Sequence, residues 1–298
     1  MRRIGLVLGA GGMAGQAYHA GVLSALTDAG WDPRGAEVVV GTSAGSIAAT
    51  LLRAGVSPSS MASGSYRSMR GGGRAGAPDA AELAAATALA AGTGPGRASL
   101  GGRLSRLVPA GRTSPGGIVT MVRRIAGEHW PERATWICAV RRSTGQRVVF
   151  GREGAPQVPL PLAVAASCAI PGFFTPVTIG QEAYVDGGAH SPTNLDLLAG
   201  LGLDAVVVSS PMSVSREGIA RRVDLPVRLL FRATLAREVR AARRAGTQVL
   251  TLQPTGEDLE AMGLNAMDPR PWQDIARQAQ ESTRRRLEDP ALRALLAP

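Results

Sequence analysis

The stretch VVVGTSAGS, residues 38–46, places a serine between two glycines directly after three valines. Consecutive β-branched apolar residues predict a buried strand. The pattern Gly41-x-Ser43-x-Gly45 after a strand is typical of a sharp turn that presents a serine hydroxyl to a base and to a substrate carbonyl. A serine at the start of a helix can also be an N-cap, whose hydroxyl accepts a hydrogen bond from the helix backbone. Taken alone, the stretch leaves a nucleophile and an N-cap equally open.

Strands and helices alternate around this stretch. Residues 3–10 and 36–42 predict short buried strands, and each is followed by a helical pattern that ends in glycine, at 15–30 and 43–55. Strand, helix, strand and helix with short connections are the signature of a parallel sheet with helices on its faces. The sequence therefore predicts an α/β fold, a three-layer sandwich with a mostly parallel central sheet. Further strands are predicted at 135–142, 147–152, 183–188, 204–211 and 247–254, and further helices at 226–245, 256–262 and 271–288.

A long segment of different composition interrupts this alternation. Residues 62–117 are rich in Gly, Ala, Arg, Ser and Pro, with one Ala-rich helical pattern at 79–91. Segments of this kind inside a compact domain are usually either disordered or functional lids, and both interpretations stay open here. The chain has neither an internal repeat nor a clean linker, so we expect one domain over 1–298 with an insertion or lid at about 62–117.

The chain is strongly basic, and its basic residues other than histidine are all arginine. They number 33 against 23 acidic residues, which gives a formal charge of +10. Arginine-only basicity can reflect a GC-rich genome, or a surface that meets phosphate or anionic lipid, because guanidinium matches phosphate oxygens well. Transient contact with an anionic membrane surface is one expectation from this charge. No nucleic-acid partner is expected.

The sequence offers little support for a metal or cofactor site. Cys138 and Cys168 lie in apolar surroundings and are expected to be buried, reduced thiols. The histidines His19, His129 and His190 are too scattered to have the spacing of zinc ligands. We therefore expect neither a metal nor a cofactor.

The first residues combine two arginines with an apolar stretch, which superficially resembles a signal peptide. The glycines of that stretch are poor helix formers, and the segment is also compatible with a strand, a turn and a helix. No run in the chain reaches the ~18 apolar residues that a membrane span needs. The expectation is a cytoplasmic protein, with peripheral membrane contact as a further option.

A glycine-rich turn, LGAGGMAG at residues 8–15, follows the first predicted strand and precedes the first predicted helix. One interpretation is a loose dinucleotide-binding fingerprint, although the second predicted strand ends without the acidic residue that binds a ribose. The other interpretation is an oxyanion hole, because unpaired backbone amides at a helix start stabilise developing negative charge. In that case the amides of Gly11, Gly12 and Met13 are the candidate donors.

Three residues are candidates for the base that would activate Ser43. His129 lies among charged residues and His190 in a turn, so both are expected to be surface or capping side chains. Asp186 ends the predicted strand EAYVD and is followed by two glycines. A carboxylate with a reference pKa of about 3.9 is an inefficient base toward a hydroxyl unless apolar surroundings raise that pKa. Otherwise an aspartate at a strand end is usually a turn former.

In combination and in this order, the three motifs resemble the patatin-like phospholipase family, which uses a Ser–Asp dyad without histidine. The run at 165–188 also resembles the segment that precedes the aspartate in that family, and the likeness covers about 1–60 and 160–210. The matching residues are Gly11 and Gly12 in the oxyanion loop, Gly41, Ser43 and Gly45 in the nucleophile elbow, and Asp186, Gly187 and Gly188 in the Asp-Gly-Gly motif.

The resemblance implies a patatin-like fold and a lipid acyl hydrolase of the phospholipase A, lysophospholipase or esterase type. Ser43 would be the nucleophile, Asp186 the base, and the reaction would pass through an acyl-enzyme. The family normally has Arg or Lys just before the last glycine of its first motif, where this chain has Ala14. If that cation is an oxyanion donor, its loss costs on the order of 10²-fold in rate.

Two other functions are compatible with parts of the same pattern. An acyltransferase or thioesterase would use the same dyad on a specific acyl donor. A nucleotide-binding protein would use the glycine loop at residues 9–15. The predicted partner is accordingly a lipid or another acyl ester, with these two alternatives open.

Overall fold

One sheet forms the centre of the computed structural model, which describes residues 2–65, 100–218 and 222–297. The strands within these ranges are β1 (Ile4–Leu8), β2 (Val39–Thr42), β3 (Thr135–Arg141), β4 (Arg147–Phe150), β5 (Val177–Ile179), β6 (Glu182–Asp186), β7 (Ala205–Ser209) and β8 (Gln248–Leu252). They lie in the order β5-β6-β3-β2-β1-β7-β8, with β4 paired to β3.

The middle of the sheet is parallel. β3, β2, β1, β7 and β8 pair in the same direction, whereas β4 and β6 pair antiparallel with β3, and β5 antiparallel with β6. All five residues of β1 are apolar or glycine and buried, as expected for a parallel strand that is covered on both faces. The predicted mostly parallel sheet is therefore confirmed.

Helices cover both faces of the sheet. Those in the described ranges are α1 (Gly12–Asp28), α2 (Ala44–Arg53), α3 (Pro58–Ser63), α4 (Leu100–Leu104), α5 (Gly116–Ala126), α6 (Leu160–Ser167), α7 (Leu225–Arg244), α8 (Gly256–Met262), α9 (Trp272–Arg286) and α10 (Pro290–Arg293). Leu6 and Leu8 belong to an apolar cluster with residues of α1, α2, α6 and α9, and Val7 to a second cluster with residues of α7. Successive strand residues point to opposite faces, so the two clusters lie on the two sides of the sheet. The predicted three-layer α/β fold is confirmed.

None of the helices in the described ranges has both the length and the apolar composition that a membrane span requires. The longest, α7, has 20 residues and carries arginines from its first turn to its last.

The first helix begins earlier than predicted. α1 starts at Gly12, not at residue 15, with Gly11 as its N-cap. Gly12 has a φ of 61°, a left-handed conformation that glycine adopts without steric cost. The end of the glycine-rich turn is therefore the first turn of the helix itself, and it contains N-terminal amides that a helix leaves without an intrahelical partner.

Part of the predicted insertion at 62–117 is integrated into the fold. Residues 66–99, which include the predicted Ala-rich helix, lie outside the described residues. The described part that follows packs on the body of the protein, since Thr113 forms a parallel β-bridge with Phe174. α5 then begins at Gly116, so the end of the predicted insertion is the start of a packed helix.

β2 and β6 meet end to end along one edge of β3. The pairing of β3 with β2 ends at Cys138 and Thr42, and its pairing with β6 begins at Ala139 and Asp186, while β4 occupies the other edge. Because β2 and β6 run in opposite directions, their last residues lie beside consecutive residues of β3. The register of the sheet therefore brings Asp186 next to the turn that begins at Ser43.

α1 and α9 are in close contact at Gly21. A Cβ added to Gly21 would lie 2.1 Å from the carbonyl oxygen of Ala276 and 2.8 Å from the Cβ of Ala279, both in α9. This contact holds the helix whose first turn carries the candidate oxyanion donors.

We expect Gly21→Ala to lower the free energy of unfolding by about 1–3 kcal/mol, because the backbone of α9 must shift to admit the methyl group. Urea denaturation measures the change. Gly35→Ala is the control, since a Cβ at Gly35 would have no atom of the described part of the chain within 4 Å. Equal stability of the two variants would contradict the close contact of the helices.

Candidate active site

Ser43 lies on a strained turn between β2 and α2. Its φ is 52° and its ψ is −117°, a combination that residues with a Cβ rarely adopt and that is frequent at functional sites. The Ser43 hydroxyl makes no cap hydrogen bond to α2, so the N-cap interpretation does not hold. The Ser43 amide donates to the hydroxyl of Ser167 at 2.9 Å, which ties the turn to α6.

The two glycines around Ser43 permit close backbone approaches. A Cβ at Gly45 would lie 1.8 Å from the carbonyl oxygen of Leu8, and a Cβ at Gly41 would lie 2.6 Å from the Cα of Ser46. The amide of Gly45 also donates to the carbonyl oxygen of Gly9 at 3.1 Å. Glycine at these positions therefore lets α2 start directly against the end of β1 and the glycine-rich turn.

The glycine-rich turn presents unpaired amides near Ser43. Within the described part of the chain, no acceptor pairs with the amide of Gly11 or Gly12, and Gly12 lines the same cavities as Ser43. The amide of Ala14 is engaged, because it donates to the carbonyl oxygen of Ala266 at 2.9 Å. Unpaired amides at a helix N-terminus beside a hydroxyl are suited to binding an oxyanion.

The dinucleotide interpretation of this turn fits the geometry less well. The amides of Gly9 and Ala10 donate to the carbonyl oxygens of Ser209 and Pro192 at 3.0 and 2.8 Å. These two amides are therefore not available to cradle a pyrophosphate.

Asp186 ends β6 as a buried carboxylate that is 5% exposed. Its Oδ1 accepts the amide of Gly188 at 2.7 Å, and a Cβ at Gly187 would lie 2.3 Å from the carbonyl oxygen of Cys138. Burial raises the pKa of Asp186 from 3.8 to about 7, although hydrogen bonding from Ser43 and Gly188 opposes this shift. The pKa of this carboxylate is thus raised, as a carboxylate needs if it is to act as an efficient base toward a hydroxyl.

The structure corrects the expectation for His190. The residue is buried, 4% exposed, and its Nδ1 has no hydrogen-bond partner among the described residues. The residue caps the 3-10 turn Gly187–Ala189, and its amide donates to the carbonyl oxygen of Gly187. The expectation of a capping residue therefore agrees with the structure, whereas that of a surface side chain is wrong, because this turn is itself buried. Burial, with the nearby Arg147, lowers the pKa of His190 to about 4. His129 is exposed, in agreement with the expectation for that residue.

His19 has a structural role that the sequence did not predict. Its Nε2 lies 2.8 Å from the carbonyl oxygen of Gly9, and its Nδ1 lies 2.8 Å from the hydroxyl of Ser209. Because a carbonyl oxygen only accepts, Nε2 carries the proton and Nδ1 accepts from the hydroxyl. Burial lowers the pKa of His19 to about 4, so a neutral ring holds the glycine-rich turn against β7.

Two cavities adjoin Ser43, with volumes of about 300 Å³ and about 80 Å³. Both cavities are lined by Gly12, Ser43 and Ile170, and the smaller cavity is also lined by Asp186. The wall that α5 contributes to the larger cavity was not predicted, because α5 begins within the segment assigned to the insertion. The apolar lining of the larger cavity includes Met13, Ile47, Ile118, Met121, Phe174 and Met267.

Across the described ranges, no cluster of His, Cys, Asp or Glu side chains could hold a metal ion. Cys138 and Cys168 are buried thiols, as predicted. Cys168 also lies at the site, where its Sγ donates to the carbonyl oxygen of Ser43 at 3.3 Å.

We expect Asp186→Asn to stabilise the folded protein at pH 8 by about 1–3 kcal/mol, because it removes a buried charge. The folded-state pKa of about 7 lies above the reference value of 3.8. The folded wild type therefore holds a proton that the unfolded chain has lost, and its stability falls as the pH rises from about 4 to about 7. The advantage of Asn should be largest at pH 8 and should shrink toward pH 4.

Urea denaturation of wild type and Asp186→Asn at pH 4.5 and pH 8 measures this difference. An advantage of the same size at both pH values would show that Asp186 does not titrate in this range.

Comparison with known proteins identifies the family of the chain. A family model described as patatin-like phospholipase matches residues 6–199, whereas no curated protein sequence matches. Among solved structures, the type III effector protein ExoU is 18% identical, with a TM-score of 0.43, over 96% of this chain and 53% of its own. VipD from Legionella pneumophila is 14% identical, with a TM-score of 0.44, over 97% of this chain and 67% of its own.

The chain thus spans about half the length of ExoU. The family match covers more than half of the chain and includes the glycine-rich turn, the turn at Ser43 and the Asp-Gly-Gly motif. The chain therefore belongs to the patatin-like phospholipase family.

Proposed function

We propose that the protein is a serine acyl hydrolase that cleaves lipid esters through Ser43 and Asp186. One observation carries the proposal: a hydroxyl on a strained turn, a carboxylate with a raised pKa and two glycines with unpaired amides at a helix start all line one cavity. Membership of the patatin-like phospholipase family supports a lipid ester as the substrate.

In the first half of the proposed reaction, Oγ of Ser43 attacks the ester carbonyl carbon while Asp186 accepts the hydroxyl proton. A base is most efficient when its pKa lies near the operating pH, so the pKa of about 7 favours Asp186 in this role. The amides of Gly11 and Gly12, with that of Met13 as a third candidate, stabilise the tetrahedral oxyanion. Collapse of the intermediate releases the alcohol, which takes the proton from Asp186 and leaves an acyl ester on Ser43.

Water completes the proposed cycle. Asp186 accepts a proton from a water molecule as that water attacks the acyl-enzyme carbonyl, and the same amides hold the second oxyanion. Breakdown of this intermediate releases the fatty acid, and Asp186 returns the proton to Oγ of Ser43.

The proposed oxyanion hole works without a cation at residue 14. Ala14 is buried in the apolar core and its amide is bound to Ala266. Stabilisation of the oxyanion then depends on the free amides of Gly11 and Gly12 and on the dipole of α1, which is 17 residues long. We expect slow turnover compared with a site that has a cationic donor as well.

The larger cavity supports a fatty acyl chain as the group that binds there. Its walls include Ile47, Ile118, Met121 and Phe174, which favour hydrocarbon because binding removes apolar surface from water. The smaller cavity, which Asp186 lines, is then the proposed position of the leaving alcohol.

An exposed segment near the larger cavity supports contact with an anionic membrane surface. Leu107 is 79% exposed, and Arg103, Arg106 and Arg112 around it are exposed as well. Just after this exposed segment, Thr113 forms a β-bridge with Phe174, which lines the larger cavity. Arginine binds lipid phosphate, and an exposed leucine can enter the interface.

Ser43→Ala should abolish covalent labelling by a fluorophosphonate probe and hydrolysis of p-nitrophenyl butyrate, because both reactions need the hydroxyl. Mass spectrometry of the labelled protein locates the adduct. Ser24→Ala is the control, since the buried hydroxyl of Ser24 has no hydrogen-bond partner among the described residues. Labelling of wild type and Ser43→Ala to the same extent would overturn the proposed function.

The value of kcat/KM should rise with pH through about 7, because Asp186 acts as a base only when it is ionised. Initial rates with p-nitrophenyl butyrate between pH 5 and pH 9 give the profile, and Asp186→Asn should lower the rate by about 10²- to 10⁴-fold. An acid limb centred near pH 4 would speak against a buried carboxylate as the base.

A further inference from the structure

A second buried carboxylate, Glu238 of α7, lies behind the proposed active site. Its Oε1 accepts the hydroxyl of Ser191 at 2.6 Å. Its Oε2 accepts the hydroxyl of Thr193 at 2.5 Å and the amide of Leu195 at 3.0 Å. All three partners belong to residues 191–195, which closely follow the Asp-Gly-Gly motif, and none of them is a cation.

The segment 191–195, which Glu238 holds, is also hydrogen-bonded to β2, the strand that ends just before Ser43. Within the segment, Asn194 donates from Nδ2 to the carbonyl oxygen of Ser191 at 2.7 Å and to the hydroxyl of Thr42 at 3.0 Å. Thr42 is the last residue of β2 and directly precedes Ser43. Asn194 has a φ of 55°, a left-handed conformation that Asn adopts more readily than most residues with a Cβ. The amide of Ser191 donates to the carbonyl oxygen of Gly187 at 3.2 Å. The segment that Glu238 holds is therefore hydrogen-bonded to the residue before Ser43 and to the residue after Asp186.

The donors around Glu238 require two accepting oxygens. Oγ of Ser191 already accepts the amides of Thr193 and Asn194, at 3.2 and 3.1 Å, so its proton must go to another acceptor. The hydroxyl of Thr193 and the amide of Leu195 need an acceptor on the second oxygen. A glutamine would turn an NH₂ group toward one of these donors and leave it unsatisfied.

A buried carboxylate without a cationic partner contributes little to the stability of the fold. Burial raises the pKa of Glu238 to about 7, and replacing buried ionic groups by apolar ones is often neutral or stabilising. The presence of a carboxylate here is explained if the segment it holds has to be placed accurately for a reaction.

We propose that Glu238 is a positioning residue, which aligns Ser43 and Asp186 by holding the segment 191–195. The inference rests on the proposed function, because alignment is expressed as a rate of acyl transfer. Glu238 lines neither of the two cavities at Ser43, so it acts through the protein and not on the substrate.

The first test compares Glu238→Gln with wild type in the hydrolysis of p-nitrophenyl butyrate at pH 8.5, where the carboxylate is ionised. We expect kcat to fall by about tenfold or more, since small misplacements of reacting groups have effects of this size. KM should stay within about twofold, because the cavity walls are unchanged. Rates are expressed per folded molecule, with the folded fraction taken from circular dichroism.

Asp258→Asn is a matched control for the loss of a buried carboxylate. Asp258 accepts the hydroxyl and the amide of Thr255 at 2.9 and 2.8 Å and the hydroxyl of Ser282 at 3.0 Å, the same kinds of donor that Glu238 accepts. It lines neither cavity at Ser43. Asp258→Asn should lower stability and leave kcat unchanged, and an equal fall of kcat in both variants would overturn the inference.

A pair of variants at Thr193 keeps the inference testable if Glu238→Gln does not fold. Thr193→Val preserves the shape of the side chain but removes the hydroxyl, so kcat should fall. Thr193→Ser keeps the hydroxyl, and kcat should return close to the wild-type value. Wild-type kcat in Thr193→Val, or in folded Glu238→Gln, overturns the inference and leaves the proposed function intact. A wild type that neither hydrolyses the ester nor reacts with the fluorophosphonate probe overturns the proposed function, and the inference with it.

Discussion

The site depends on the register of one strand, β3. Two consecutive residues, Cys138 and Ala139, pair with the last residues of β2 and β6, which run toward each other. Backbone hydrogen bonds of the sheet therefore set the separation of Ser43 and Asp186, and groups placed on rigid elements are held more accurately than groups on loops. A slip of one residue in either pairing would turn the side chains to the opposite face of the sheet.

Burial raises the pKa values of two carboxyl groups at and behind the site, and it also lowers the stability of the fold. Asp186 and Glu238 both lie in the interior, neither has a cationic hydrogen-bond partner among the described residues, and the pKa of each is raised to about 7. Ser43 adds a strained backbone conformation. Such features persist only where surrounding contacts hold them. Here the close packing of Gly45 against β1 and the hydrogen bonds of the segment 191–195 provide those contacts.

Sequence reasoning succeeded where the physical cause is local. The apolar runs of β1 and β2 and the glycines around Ser43 follow from short-range sterics, which a few neighbouring residues reveal. It failed to predict the burial of His190, because only the packing of the preceding turn, Gly187–Ala189, decides whether that side chain is buried. It also missed α5 as a cavity wall, since Gly, Ser and Arg residues before that helix resemble an insertion when no neighbours are known.

The sequence by itself determined the α/β class, the serine at the end of a buried strand and the three motifs of the family, because each depends on residue type and short spacing. Tertiary structure alone decided that Asp186 lies beside Ser43, that the pKa of its carboxylate is raised, and that Glu238 reaches the segment behind both. These properties arise from strand register and from burial among groups that are distant in the chain. No local pattern of residues encodes either of them.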